Sequence, residues 1–203
     1  MATAHVLERR DGIVRGAAQL FSARGYHATS MRDLAEHIGI RAPSLYAHVE
    51  SKEDLLYEIV AGAAEQFIGG LGRVLESSAT AEEKLRAAMR SHVRVLADNL
   101  EGARVFHHEW RALRSPRREE IEVLRDRYEE MWDAVLRELR PVGSRFARLL
   151  ALSAANWTYV WYDPAGAMSP EEVADRFTDL LLDGLRTTAT GKDRKRADRG
   201  ATR

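Results

Sequence analysis

The sequence contains no cysteine among its 203 residues. The absence of thiols excludes a disulfide scaffold, a thiolate metal site and a cysteine nucleophile, and it is typical of a reducing compartment. Long apolar runs are also missing, since no window approaches the roughly 18 apolar residues of a membrane span. The opening stretch MATAHVLERRDG lacks the apolar core of a signal peptide. We therefore expect a cytoplasmic protein.

Excess charge of either sign is missing as well, because 31 basic side chains balance 31 acidic ones. A protein that binds nucleic acid over its whole surface is expected to be more basic than this. Apolar residues make up 45% of the chain, which is typical of a folded globular protein. Any binding of nucleic acid must therefore depend on a local patch.

The alternation of apolar and polar residues that marks a half-buried strand is absent, and helical spacing takes its place. Gly25 and Gly39 fall where apolar periods end, and Ser51 and Ser169 precede periods as helix caps. The sequence thus predicts an all-α fold, with a short helix that starts at Pro43. Longer helices are predicted over about residues 8–24, 31–38, 52–76, 81–99, 102–113, 117–140, 144–162 and 169–187.

Four stretches of the chain raise further expectations. The segment 144–162 is apolar nearly all round, which predicts that both of its faces are buried. The helix after Ser169 is expected to turn one apolar face inward, and the polar, basic tail from residue 188 is expected to be disordered. Glycines inside the fourth helix indicate either close packing or a hinge, and the sequence leaves both open. The inward face comprises Val173, Phe177, Leu180, Leu181 and Leu185, and the glycines are Gly62, Gly69, Gly70 and Gly72.

Residues 31–48 have the spacing of a helix-turn-helix unit, in which a helix, a glycine turn and a short second helix pack together. Leu34, Ala35 and Leu45 fall on the inward side, and Gly39 occupies the turn. The second helix can be short because only its first turn needs to enter a groove. Its outward residues are predicted to be Arg41, Ala42, Ser44, Tyr46, Ala47 and His48.

Three motifs then occur in order: AAQLFSARGY at 17–26, Gly-x-x-x-x-Ser-Leu-Tyr-x-His at 39–48, and SKEDLL at 51–56. Over about residues 8–58 the chain resembles the DNA-binding domain of the tetracycline-repressor (TetR) family. The resemblance implies a homodimer that binds a palindromic operator in double-stranded DNA and represses transcription until a small molecule binds. It also implies a three-helix DNA-binding domain (1–56), a helical ligand-binding and dimerisation domain (57–187) and a basic tail (188–203).

The resemblance assigns roles to individual residues. Tyr46 and His48 are expected to contact phosphates through their hydroxyl and imidazole, and Lys52 is expected to do so at a helix N-terminus. Arg41 is expected to read bases, since arginine pairs with O6 and N7 of guanine. The full set of expected DNA contacts is Thr29, Ser30, Arg41, Ala42, Ser44, Tyr46, His48 and Lys52, of which Thr29 and Ser30 contact the backbone and Ser44 reads bases with Arg41.

The stretch HHEWRALRSPRREEIEVLRDRYEEMW at 107–132 resembles the TetR-type regulators that control fatty-acid or sterol breakdown and respond to acyl-CoA thioesters. Its arginines form either ion pairs along a helix surface or a basic rim that holds the phosphates of coenzyme A. Drugs and aromatic acids remain open as other hydrophobic effectors. Aromatic residues of the C-terminal half either pack in the core or, as the resemblance implies, line a cavity for the effector. Those expected to bind the effector are Phe106, Trp110, Tyr128, Trp132, Trp157 and Trp161.

Patterns typical of enzymes are weak. His107 and His108 point about 100° apart on a helix, so that they cannot easily share a metal ion, even with Glu109 and His92 nearby. Neither H-E-x-x-H nor G-x-S-x-G occurs. We expect no enzyme activity, no metal and no cofactor. The alternative is a helical small-molecule-binding protein or enzyme that does not bind DNA specifically.

Overall fold

The computed structural model describes the backbone of residues 2–139 and 144–200 and the side chains of residues 10–139 and 144–186. The predicted all-α fold is confirmed, since the residues described form helices and no strand. The helices are α1 (Ala2–Arg24), α2 (Met31–Ile38), α3 (Ala42–Tyr46), α4 (Lys52–Leu75), α5 (Ala81–Asp98), α6 (Leu100–His108), a 3-10 turn (Trp110–Ala112), α7 (Arg117–Leu139), α8 (Ser144–Trp161) and α9 (Pro170–Gly200).

Two helices are longer than the sequence predicts. The first helix begins at Ala2 rather than near residue 8, and α9 runs to Gly200 through most of the segment expected to be disordered. Extending an existing helix adds one hydrogen bond per residue without a new nucleus. Polar residues with good helix propensity can therefore continue a helix that apolar residues have started.

The chain forms two compact units, and the boundary between them falls inside α4 and inside α7. Unit 1 comprises residues 1–68 and 98–127, and unit 2 comprises residues 69–97 and 128–203. The family resemblance implied a DNA-binding domain that ends at residue 56. Unit 1 contains this segment and also α6, the 3-10 turn and the start of α7, because α6 packs against α1.

The core of unit 1 is built on the helix-turn-helix segment. Leu34 of α2 and Leu45 of α3 are fully buried, together with Phe21 of α1. Gly16 of α1 allows α2 to come close, because a Cβ at that position would lie 2.7 Å from the Cγ1 of Ile38. Such contacts hold α2 and α3 on a rigid base within this unit.

The core of unit 2 surrounds Trp132 of α7, whose side chain is fully buried. Its helices begin at conventional caps: the hydroxyl of Ser169 accepts the N–H of Glu172, whose carboxylate accepts the N–H of Ser169 in return. This capping box was predicted from the sequence. The buried neighbours of Trp132 in the same cluster are Leu85, Met89 and Val93 of α5, Val135 and Leu136 of α7, Ala147, Ala151 and Ala155 of α8, and Val173, Ala174, Leu181 and Leu182 of α9.

One face of α8 carries large apolar side chains that are exposed in the single chain, so the predicted burial of both faces would need a surface outside this chain. Small residues such as Ala151 fill the inner face instead. Leu180 of α9 was also predicted to point inward, but 72% of it is exposed. The prediction for Leu180 was wrong for the single chain, because hydrophobicity alone does not say which surface covers a residue. The exposed apolar residues of these two helices are Phe146, Leu149, Leu150, Trp157, Val160, Trp161 and Leu180, called the α8–α9 apolar face below.

Candidate functional site

The turn between α2 and α3 is fixed by backbone geometry. Gly39 has a φ of +78°, a left-handed conformation that residues with a Cβ seldom adopt. The N–H of Gly39 donates to the carbonyl of Glu36 at 3.1 Å, and the N–H of Ile40 donates to the carbonyl of Ala35 at 2.9 Å. These bonds close the end of α2 and set the direction in which α3 begins.

The start of α2 is capped by Ser30, whose side chain is exposed. Its hydroxyl accepts the N–H of Asp33 at 3.1 Å, and the Asp33 carboxylate accepts the N–H of Ser30 at 2.8 Å. Hydrogen bonds from the Ser30 hydroxyl and backbone hold the pKa of Asp33 below its usual value. The first turn of an α-helix has further N–H groups without a partner inside the helix, and such N-termini can bind anions.

The predicted outward residues of α3 all retain accessible side chains. Leu45 is fully buried and holds the helix on unit 1. Tyr46 is 55% exposed, which is unusual for so large a ring and leaves its hydroxyl free to reach a ligand. Arg41 and Ala47 are exposed, whereas Ala42, Ser44 and His48 are half-buried.

Thr29 and Lys52 have different surroundings from those expected of phosphate contacts. The Thr29 side chain is 2% exposed, and its hydroxyl donates to the carbonyl of Gly25 at 2.8 Å. The ammonium of Lys52 donates to the carbonyls of Tyr26 and Thr29, each at 2.7 Å. Both side chains thus support the turn between α1 and α2.

The six aromatic residues expected to bind an effector lie in three environments. In unit 1, Phe106 and Trp110 are each 7% exposed, and the Arg125 guanidinium lies over their rings at 5.2 and 5.0 Å. In unit 2, Trp132 belongs to the core and Tyr128 is half-buried against it. Trp157 and Trp161 are 60% and 43% exposed and belong to the α8–α9 apolar face.

A buried polar pair accompanies the unit 2 aromatics. The Nδ1 of His92 lies 2.8 Å from the hydroxyl of Tyr128, and His92 is only 2% exposed. The His92 and Trp132 rings meet edge to face at 6.2 Å. Burial raises the pKa of Tyr128 above its usual value, so the phenol stays neutral. Sequence reasoning considered His92 only as a metal ligand, and its spacing from Tyr128 gave no signal of this pairing.

The arginine-rich stretch forms ion pairs with acidic residues of α4 in unit 1. Arg117 lies 2.5 Å from a carboxylate oxygen of Asp54, and Arg114 lies 3.6 Å from one of Glu53. Farther along α7, Arg118 pairs with Glu122 at 3.8 Å. Ion pairing, one of the two interpretations of these arginines, therefore describes these three.

Within the described residues, no three histidine, aspartate or glutamate side chains are grouped as metal ligands would be. The described helices also include none that is both long and apolar enough to cross a membrane.

Two family models match the chain. The model of the bacterial regulatory proteins of the tetR family matches residues 13–59, which contain α2, the turn and α3. The model of the tetracyclin repressor-like C-terminal domain matches residues 78–185, which is more than half of the chain. Together they cover elements of both compact units.

Individual relatives agree with this assignment. The chain is 27% identical to the HTH-type transcriptional repressor KstR2 of Mycolicibacterium smegmatis, over 87% of this chain and 90% of that protein. It is 36% identical to the TetR family transcriptional regulator PfmR from Thermus thermophilus, with a TM-score of 0.78 over 84% of this chain and 97% of that one. It is 28% identical to AibR, seen in complex with isovaleryl coenzyme A and operator DNA, with a TM-score of 0.75 over 85% and 97%. The chain belongs to the TetR family of bacterial transcriptional regulators.

Proposed function

We propose that the protein is a homodimeric repressor that binds a palindromic operator through α3 and leaves it when a hydrophobic effector binds. The observation that carries this proposal is the combination of a capped α2, a left-handed glycine turn and an accessible α3 held by a buried Leu45. A short helix on a rigid base can enter the major groove with its first turn.

The DNA contacts divide into two kinds. Tyr46, His48 and the N-terminus of α2 at Ser30 contact phosphates, which position the protein but carry no base identity. Arg41 and Ser44, with the small Ala42 between them, read base edges. An arginine bonded to guanine contributes about 1–3 kcal/mol of discrimination.

The α8–α9 apolar face supports pairing with a second copy of the chain. Its members are large, lie on two helices that pack together in unit 2, and are 43–77% exposed in one chain. An exposed apolar surface of this kind marks an interface. Two-fold pairing through these helices gives the symmetry that a palindromic operator requires.

The effector is an apolar molecule with a polar head, and an acyl-CoA thioester is the candidate we favour. AibR, with which the chain shares 28% identity, is described with isovaleryl coenzyme A bound. In unit 2 the His92–Tyr128 pair supplies polar groups inside an apolar core. A few polar groups in apolar surroundings are typical of small-molecule sites.

The DNA-binding part is tested by fluorescence anisotropy with DNA from upstream of the gene, followed by selection from random DNA. Arg41→Ala should relax the preference at one base position in each half-site. Arg73→Ala removes an exposed arginine of unit 2 and is the matched control, for which we expect an unchanged preference. Failure of the wild-type protein to select any sequence would favour a binding protein without specific DNA recognition.

The effector part is tested by titration calorimetry with acyl-CoA esters, free fatty acids and coenzyme A, with and without operator. An effector that releases DNA must bind more weakly in the presence of operator, by the same factor by which it weakens DNA binding. Equal affinity with and without operator would contradict release by that compound. If no thioester binds, the repressor needs another effector.

A further inference from the structure

We propose that Arg10 of α1 is a positioning residue, which together with Glu58 of α4 fixes the C-terminal end of α3. The inference rests on the proposed DNA-binding function, because the exact place of α3 matters when the helix enters a groove of DNA. The contacts that define the arrangement are present in the DNA-free protein, so they can also be tested without DNA.

A helix as short as α3 depends on contacts outside itself. It has only five residues, Ala42–Tyr46, and the Arg41 side chain at its N-cap makes no capping hydrogen bond. Its apolar anchors are Leu45, which is fully buried, and Val49 just beyond the helix, which is 3% exposed. Because apolar contact is non-directional, these two side chains hold α3 on unit 1 but leave its orientation to other contacts.

A directional contact at the C-terminal end of α3 comes from Arg10. The Nη1 of Arg10 donates to the backbone carbonyl of His48 at 2.9 Å. The last carbonyls of a helix lack partners inside the helix, and arginine side chains can satisfy them. His48 directly follows Ala47, the C-cap residue of α3, so this bond holds the chain where the helix ends.

The Arg10 guanidinium is itself held by Glu58. Its Nε lies 3.2 Å from each carboxylate oxygen of Glu58, and its Nη2 donates to one of them at 2.8 Å. A guanidinium is planar, and a carboxylate that receives two of its nitrogens fixes that plane. The third nitrogen then meets the His48 carbonyl in a direction that α4 sets. Arg10 and Glu58, called the Arg10–Glu58 clamp below, thus connect α1, α4 and the end of α3 within unit 1.

The exposure of the clamp separates its local effect from an effect on overall stability. The Arg10 and Glu58 side chains are 42% and 34% exposed, and they border a groove of about 750 Å³ that Tyr46 and His48 also line. Ion pairs with this much solvent contact add little to the free energy of unfolding. Loss of the clamp should therefore loosen the end of α3 while the fold persists.

The clamp acts on the residues proposed to contact DNA. Tyr46 and His48 are the proposed phosphate contacts of this segment, and the bonded carbonyl belongs to His48 itself. Phosphate contacts set the register in which Arg41 and Ser44 meet the bases. Non-specific binding depends on charge rather than on register, so it should be much less affected. The clamp therefore contributes to the preference for the operator over other DNA.

Glu58→Met and Glu50→Met are a matched pair of variants that separates position from charge. Each removes one carboxylate from the same groove, and of the two it is Glu58 that is bonded to Arg10. Loss of a negative charge near DNA favours binding by electrostatics alone, so Glu50→Met should bind the operator as tightly as the wild type or slightly more tightly. Glu58→Met should bind it roughly tenfold more weakly. Equal operator affinity in these two variants would overturn the proposal.

The double variant Arg10→Met/Glu58→Met shows whether Arg10 itself contacts phosphate. It removes the clamp and leaves the net charge unchanged. A phosphate-bound cation contributes about 0.9 per subunit to the slope of log K against log salt. We expect a roughly tenfold loss of operator affinity with the wild-type slope and an unchanged affinity for random DNA. A slope that falls by about one unit per subunit would assign Arg10 to phosphate and overturn the proposal.

Amide hydrogen exchange tests the clamp in the absence of DNA. Circular dichroism and thermal melting first establish that each variant is folded, and Glu58→Met carries the test if the double variant does not fold. The amides of Ala47, His48 and Val49 donate within the end of α3, to the carbonyls of Pro43 and Leu45. We expect these three amides to exchange at least tenfold faster in Glu58→Met than in Glu50→Met, with the rest of the chain much less affected.

Equal exchange in Glu58→Met and Glu50→Met would overturn the proposal, whether or not the protein binds an operator. A wild-type protein that selects no DNA sequence would refute the proposed function. In that case the exchange result alone decides whether Arg10 and Glu58 hold the end of α3.

Discussion

Arg117 at the start of α7 and Asp54 in the first turn of α4 form an ion pair within unit 1, with 2.5 Å between nitrogen and oxygen. The guanidinium also lies 5.2 Å from the centre of the Tyr57 ring, and the Tyr57 hydroxyl donates to Glu120 at 2.6 Å. Burial alone raises the pKa of Asp54, but hydrogen bonds from Arg117 and Ser51 outweigh it, so the pKa is lowered overall.

Breaking this ion pair should destabilise the protein. Arg117→Gln leaves the Asp54 carboxylate partly buried without its main partner, and we expect a loss of about 1–2 kcal/mol in the free energy of unfolding at pH 7. A carboxyl group with a lowered pKa in the folded state stabilises it above the unfolded pKa, and this contribution is lost as the pH falls through the folded pKa. Urea titrations at pH 7 and pH 3 should thus show the difference between variant and wild type shrinking in acid. If the variant and the wild type differ in free energy of unfolding by the same amount at both pH values, the Arg117–Asp54 ion pair is not the cause of the difference.

His107 should make the protein sensitive to mild acid. Burial, together with the nearby charges of Arg125 and His108, lowers the pKa of His107 to about 4. The unfolded chain binds this proton near pH 6.5, so stability should fall between about pH 6.5 and pH 4, by roughly 1–3 kcal/mol. His107→Gln should flatten that part of the pH profile in thermal melts. His27→Gln, which changes an exposed histidine in the turn between α1 and α2, is the control and should keep the wild-type profile.

Gly62 should tolerate a methyl group. A Cβ at this position of α4 would meet nothing within 4 Å, and the residue borders open grooves of about 750 and 670 Å³ in unit 1. Gly62→Ala should therefore raise the free energy of unfolding by about 0.5–1 kcal/mol. Gly70→Ala is the matched contrast, because its Cβ would collide with the Ser91 side chain. If Gly62→Ala also weakens the response to effector, the hinge interpretation of these glycines gains support. A lower free energy of unfolding in Gly62→Ala would contradict the expected stabilisation.

Neighbouring leucines of α9 should respond differently to charge. Leu180 is 72% exposed and Leu181 is 5% exposed. Leu180→Arg should give a folded monomer in light scattering at micromolar concentration, because only the surface between copies is altered. Leu181→Arg should unfold unit 2, because a charge enters its core. A Leu180→Arg protein that remains dimeric would place the interface elsewhere.

The elements that the sequence predicted correctly depend on contacts between residues close in the chain. The Ser169 cap, the Ser51 cap and the Gly39 turn each follow from residue types within a few positions of one another. The helix-turn-helix unit follows from them and from the inward spacing of Leu34 and Leu45. These local signals can be recognised in the sequence because they do not depend on tertiary contacts.

The partners of charged side chains could not be predicted in the same way. Arg117 has many acidic residues within reach in principle, and only the packing of α7 beside α4 in unit 1 selects Asp54. Lys52 sits at a helix start where phosphate contact is plausible, but the carbonyls that it binds belong to a turn far earlier in the chain. Leu180 was predicted to point inward from its place in the apolar pattern of the helix, but the packing of α9 leaves 72% of it exposed.

The five residues of α3, Ala42–Tyr46, include no charged side chain. Electrostatic attraction to phosphates supplies most of the non-specific affinity of DNA-binding proteins and lets them slide along the duplex. These five residues therefore add little to that attraction, which must come from charged groups outside them, such as Arg41 at the N-cap of α3. On the proposed operator, their own contribution to the residence time should accordingly be set by how well their side chains fit the base edges.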